Sequence, residues 1–169
     1  AAGTQMLAQL LRGHRLALQD SHLQQDLHFA MDLMVRELQG AHYVANAWKT
    51  RRPDACEDDF CQAGNFLLAD NRIEFSLDKS ANGQRENNEC TGFKVSDSAL
   101  LVRTSCSNTW QPLTDRTTVM VTALQAQLRC TEVNGWLQRQ LRLQLDAHAP
   151  GDATRRCCYL PARLGTNHR

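Results

Sequence analysis

The stretch LQQDLHFAMDLMVRELQGAHYV, residues 23–44, decides the fold class. Its apolar positions belong to a series, Leu16, Leu23, Leu27, Ala30, Met34, Leu38 and Ala41, and the 25 residues between first and last make close to seven turns at about 3.6 residues each. This pattern gives one α-helix with one apolar stripe, and that stripe is its packing face. Gln24, Gln25, Asp26, Asp32, Arg36 and Glu37 fill the other faces, where Phe29 and Val35 also fall. Upstream, QMLAQLLRGHRLAL, residues 5–18, continues helically, with Gly13 its one weak position at about 1 kcal/mol relative to alanine. The expected helix occupies residues 1–45, far longer than the dozen or so residues usual in globular domains. A small remainder cannot cover both ends, so the helix is expected to protrude or to continue into a segment not present here. Met6, Leu7, Leu10 and Leu11 crowd at that end, too apolar for solvent, and form the candidate subunit interface.

After Ala45 the period changes. TRRPDACEDDFCQAGN, residues 50–65, is a polar loop stopped by Pro53. NRIEFSLD, residues 71–78, alternates Ile73, Phe75 and Leu77 on one face, as a half-buried strand does. SANGQRENNEC, residues 80–90, is a loop with Asn82-Gly83 as a tight-turn signal. CTGFKVSDSALLVRTSC, residues 90–106, reads as a hairpin: Phe93 and Val95 on one arm, Ser96 to Ser98 turning, Leu100 and Val102 on the other. A second hairpin spans residues 117–149 around Asn134-Gly135, the strongest short hairpin signal in the chain. There Leu141, Leu143, Leu145 and Ala147 alternate with Gln140, Arg142, Gln144 and Asp146, giving one buried and one wet face and fixing the register. The expected fold is α+β, a single domain over residues 1–169, with a long N-terminal helix packed on an antiparallel sheet of four to six strands.

A chain of 169 residues with net charge +1 has no global drive toward nucleic acid or an anionic membrane, and no run of about eighteen apolar residues spans a bilayer. Seven cysteines point to an oxidising compartment, because the spacings lack the paired C-x2-C pattern of zinc sites. Cys56 with Cys61 closes a local loop. Cys90 and Cys106 lie nearly symmetrically about the first hairpin turn. Cys130 should fall opposite Arg139 in its own hairpin, where no cysteine stands, so its expected partner is Cys157 or Cys158. The alternative, a vicinal bridge between Cys157 and Cys158, would leave Cys130 free.

The helix and the order of the segments after it resemble minor type IV pilins of the PilW type and the related PulJ-type minor pseudopilins. Leu23, Asp26, Leu27, Met31, Met34, Arg36, Glu37, Leu38, Ala41 and Tyr43 carry that resemblance, together with the cysteine-bearing loop, CTGFKVSDSALL and a terminal sheet. It implies a pilin-like fold and a subunit that assembles with other minor pilins and the major pilin, with a tip adhesin as a further partner, in a complex priming a type IV pilus. A pseudopilin of a type II secretion system is the alternative. Members begin with a short leader, a processing junction and about two dozen apolar residues with glutamate fifth; residues 1–15 do not match this. The resemblance therefore implies a chain cut within its helix, with Ala1–Gly3 partly a cloning remnant. The missing segment would anchor the subunit in the inner membrane of a Gram-negative cell, the globular domain would lie in the periplasm, and the mature subunit would sit at the fibre tip. No catalysis, cofactor or small-molecule substrate is implied.

Other chemistries find weaker support. His14, His22, His28 and His42 lie on the helix without the i, i+3 or i+4 spacing of a metal pair. The acidic run Glu57, Asp58 and Asp59 lacks the alternating order of a calcium loop and reads as a solvated charge cluster. No G-x-S-x-G or comparable context marks a nucleophile. The tail holds Arg155, Arg156, Arg163 and Arg169 beside Tyr159, a candidate for salt-dependent DNA contact in a subunit serving DNA uptake, although arginines decorating a last strand explain it as well.

Overall fold

The computed structural model describes residues 2–41, 66–133, 136–151 and 156–168. Helix α1 spans Ala2–Gln39, 38 residues, or about 57 Å at 1.5 Å per residue. It stops short of the expected boundary at residue 45. Gly40 and Ala41 turn instead, their N–H groups donating to the carbonyls of Glu37 (3.2 Å) and Leu38 (3.0 Å), a tightened last turn that satisfies two of the terminal carbonyls. Arg36 lies in the last turn, where a cation complements the helix dipole.

Among the described residues eight strands come after the helix: β1 (Phe66–Ala69), β2 (Arg72–Ser76), β3 (Cys90–Ser96), β4 (Ala99–Arg103), β5 (Gln111–Pro112), β6 (Met120–Val133), β7 (Trp136–His148) and β8 (Arg156–His168). They form two antiparallel sheets rather than the expected single sheet of four to six strands: β1-β2-β3-β4-β5 and β6-β7-β8, each in sequence order. The break has a local cause. The first sheet ends on β5, only two residues long and terminated by Pro112, which has no N–H to extend a ladder. Turns of the first sheet meet β6, the edge of the second: the Ser98 carbonyl accepts from Val121 N–H (2.9 Å) and the Asn71 side-chain oxygen accepts from Leu124 N–H (2.9 Å), so donors of that edge are satisfied.

The β3–β4 register places Phe93 opposite Val102 and Val95 opposite Leu100. Asp97 and Ser98 make the connecting turn with φ of 51° and 60°, the mirror-image turn that matches strand twist. In the second sheet Val133 pairs with Trp136 across Asn134 and Gly135. Leu141, Leu143, Leu145 and Ala147 are fully buried and Gln140 and Arg142 exposed, but Asp146 is buried too. Its place on the central strand, between Ala123 of β6 and Cys157 of β8, and its acceptance of the Gln144 amide (3.0 Å) explain that departure from alternation.

One core joins the three layers. Leu23, Leu27, Met31, Met34 and Leu38 of α1 cluster with Ile73, Phe75, Phe93 and Leu100 of the first sheet and Val121, Leu124, Leu141, Leu143 and Leu145 of the second. The helix packs on β7 and β8.

The β2–β3 connection is organised by two buried carboxylates. Asp78 accepts from the N–H groups of Asn82 (3.1 Å) and Gly83 (3.0 Å), and Glu89 from those of Ser80 (2.9 Å) and Glu86 (2.8 Å). Burial pushes the Glu89 carboxyl upward, but these backbone donors outweigh it and hold the group below its ordinary value. A depressed folded-state value means that the contribution of Glu89 is present at neutral pH and is lost as pH falls through and below the ordinary carboxylate range. Urea unfolding across that range should give a steeper acid loss for the wild-type chain than for Glu89→Gln, and parallel losses would contradict the assignment.

Candidate functional site

Helix α1 divides into a covered and an uncovered half. From its middle onward, Leu23, Leu27, Ala30, Met34 and Leu38 are buried, and Ala41 is buried just past the helix end. Met31, outside the stripe drawn from the sequence, is fully buried as well. It stands four residues after Leu27 and three before Met34, spacings that broaden the apolar stripe into a face. Among the described side chains before Leu23 none is buried. Met6 is 67% exposed and Leu18 51%. For Leu7, Leu10, Leu11 and Leu16 only the helical backbone is described.

Phe29 is 62% exposed although it sits in the covered half. It is about three helical turns from Leu18, so the two share one outward face roughly 16 Å apart along the axis. Two large apolar side chains presented on the same side of a helix, away from the domain's own core, are the features most suited to contact another molecule. The sequence reading places Phe29 on the outer face without assigning it a role.

Among the disulfides expected, Cys90–Cys106 is present, with Cα atoms 4.8 Å apart. Cys56 and Cys61 lie outside the described residues, as does the acidic run at residues 57–59. The expected bridge from Cys130 to Cys157 or Cys158 does not fit the register. Cys130 is opposite Arg139, as anticipated, but Arg139 is opposite Leu164, whereas Cys157 and Cys158 face Asp146 and Leu145. The offset from Cys158 to Leu164 is about 20 Å along the strand at roughly 3.3 Å per residue, against the 7 Å or so that a disulfide can span between Cα atoms. Spacing in sequence carried no information on that offset.

Of the tail arginines, Arg156 is opposite Ala147 and Arg163 opposite Gln140 in β8, while Arg155 and Arg169 lie outside the described residues. The described basic side chains gather elsewhere. Arg72, Lys94 and Arg103 surround the Trp110 ring, with cationic centres 5.8, 4.5 and 5.4 Å from its centroid. Glu74 pairs with Arg72 and with Arg103 (2.8 Å), fixing the cluster, and the Trp110 ring N–H donates to Asn108 (3.0 Å). Gly92 makes room for it: a Cβ there would come within 3.1 Å of the indole and 3.2 Å of the Ile73 carbonyl. Alternation along β2, β3 and β4 puts these residues on the face away from Ile73 and Phe93. His14, His22 and His28 are exposed, His42 is outside the described residues, and the His148 ring nitrogen Nδ1 lies 2.9 Å from the Ala149 carbonyl oxygen.

A half-covered helix on antiparallel sheets is the setting in which the likeness to known families carries weight. A family model described as prepilin peptidase-dependent protein B matches residues 16–158, from within the helix to the last strand. No curated protein and no solved structure matches the chain.

Proposed function

Because the chain belongs to the prepilin peptidase-dependent protein B family, a type IV pilin-related family, we propose that it is a minor pilin that joins other minor pilins and the major pilin in the complex priming a type IV pilus. The half-covered helix supports this reading most directly. Residues from Leu23 onward bury their stripe in the domain core, and the preceding turns carry Met6 and Leu18 away from it. Such a helix suits packing against the helices of neighbouring subunits, where exposed apolar side chains lose their contact with water at about 25 cal/mol per Å2. Within α1 itself no stretch among the described residues is long and apolar enough to cross a membrane. On this proposal the anchoring segment precedes α1, the domain lies in the periplasm of a Gram-negative cell, and the assembled subunit ends at the fibre tip, where a tip adhesin is a further partner.

The test is complementation of a deletion strain with the wild-type gene or with Leu18→Glu plus Phe29→Glu, counting surface fibres by electron microscopy and assaying secreted enzymes in parallel. Both positions are exposed, so each substitution should change stability by no more than about 0.5 kcal/mol. Fibres are expected to disappear on deletion, to return with the wild type and to stay absent with the double variant. Loss of secretion with fibres intact would assign the subunit to a type II pseudopilus instead, and neither phenotype would overturn the assembly role.

A further inference from the structure

On the outer face of the first sheet, three cations share one carboxylate. Glu74 gives one oxygen to Arg72 and the other to Arg103 (2.8 Å), so both of its oxygens are taken. None of the ion pairs among the described residues includes Lys94, whose ammonium lies 4.5 Å from the Trp110 ring centroid. The Arg103 side chain is largely covered, at 13% exposed, whereas that of Arg72 is 44% exposed and Lys94 is half-buried. An arginine has several N–H donors, and those of Arg72 not aimed at Glu74 can serve another acceptor.

The register makes this arrangement unfavourable for the fold by itself. Arg72 is directly opposite Lys94, and like charges facing each other on neighbouring strands are destabilising. A negatively charged acceptor placed over the pair removes that repulsion. The same row continues across the sheet, with Lys94 opposite Leu101 and Leu101 opposite Pro112. Leu101, Pro112 and Leu113 line an open cleft of about 560 Å3, a volume in the range of ligand-binding clefts. Asp97 and Asp115 line it too, so the cleft suits an apolar side chain rather than a further acid.

The row sets the size of what it can hold. From Arg72 to Pro112 it crosses three strand spacings, roughly 14 Å at about 4.8 Å each, the length of an extended segment of about five residues. Alternate side chains of such a segment face the sheet, so carboxylates at its first and third positions meet Arg72 and Lys94 while an apolar fifth side chain enters the cleft. Trp110 favours a peptide over nucleic acid. With cationic centres 5.8, 4.5 and 5.4 Å from its centroid, the ring has little open face on which a base could stack, the contact that single strands use. Carboxylates need only the charged donors around it.

We infer that this face docks an acidic peptide segment of another protein, its carboxylates on Arg72 and Lys94 and its apolar side chain in the cleft at Leu101 and Pro112. Glu74 and Trp110 hold the cations in position. The surface is separate from the helix face that carries Leu18 and Phe29, and its test needs no assembled fibre.

The experiment is isothermal titration of the chain with the end-capped peptide Glu-Ser-Glu-Ser-Leu, its glutamine counterpart, its alanine-for-leucine counterpart and single-stranded oligothymidylate. The acidic peptide should bind, several-fold more weakly in about 0.5 M salt, where the Debye length falls to about 4 Å. Replacing its glutamates by glutamine should remove measurable binding, and replacing leucine by alanine should weaken it several-fold. Lys94→Glu should weaken binding by about tenfold or more, with Lys94→Gln in between. Tm should stay level or rise in Lys94→Glu, because glutamate opposite Arg72 makes an opposite-charge pair. A lysine kept only to pack on Trp110 would show the reverse, a lowered Tm with affinity unmoved. That result would overturn the proposal, as would no binding of the acidic peptide, equal binding of either counterpart, or a response to oligothymidylate alone.

Discussion

Replacing Leu27 by alanine should lower the unfolding free energy by about 3–4 kcal/mol, whereas the same change at Leu18 should alter it by no more than about 0.5 kcal/mol. The two residues lie on one helix and lose the same atoms, so intrinsic helix propensity cancels between them. What differs is the surroundings. Leu27 has no exposed surface and clusters with core residues of both sheets; truncation removes buried apolar area and leaves a cavity that a helix held by Leu23, Met31, Met34 and Leu38 cannot close. Leu18 is 51% exposed and leaves no cavity. Chemical unfolding monitored by circular dichroism reads both values, and losses of similar size would mean that the first half of α1 is as firmly docked as the second. On the proposed assembly role, Leu18→Ala should weaken packing between subunits, whereas Leu27→Ala should act through the stability of its own domain.

The helix and its stripe are legible in the sequence because helical period is a local property: side chains three and four residues apart must share a face whatever surrounds them. Hairpin register is legible for a similar reason, since Asp97-Ser98 and Asn134-Gly135 bring neighbouring segments together and alternation then assigns Phe93, Val95, Leu100 and Val102. Contacts between distant segments leave no such trace. The division into two sheets depends on how β5 ends at Pro112 and how β6 meets turns of the first sheet, and the strands β1 and β5 are too short to announce themselves. The offset of Cys130 from Cys157 and Cys158 likewise comes from the register of three strands, which sequence separation does not encode. Trp110 gathers Arg72, Lys94 and Arg103 from three strands, so no local window contains that cluster. The loop at residues 78–89 is a different case. Asn82-Gly83 marks its turn in the sequence, but only the folded loop shows that Asp78 and Glu89 reach back to accept from the N–H groups of Asn82, Gly83, Ser80 and Glu86.

Replacing Cys90 and Cys106 together by serine should remove about 3 kcal/mol and lower Tm by roughly 6–12 °C. The bridge links residues 16 apart, and in the chain-entropy account its absence returns that loop-closure freedom to the unfolded state. The backbone hydrogen bond from the Cys106 N–H to the Asn87 carbonyl (2.7 Å) is open to serine as well, so the loss is that of the cross-link itself. Substitution is more informative than reductant, which would also reduce any other bridge the chain forms. Unchanged stability in the variant would show that β3 and β4 hold these ends without the bridge.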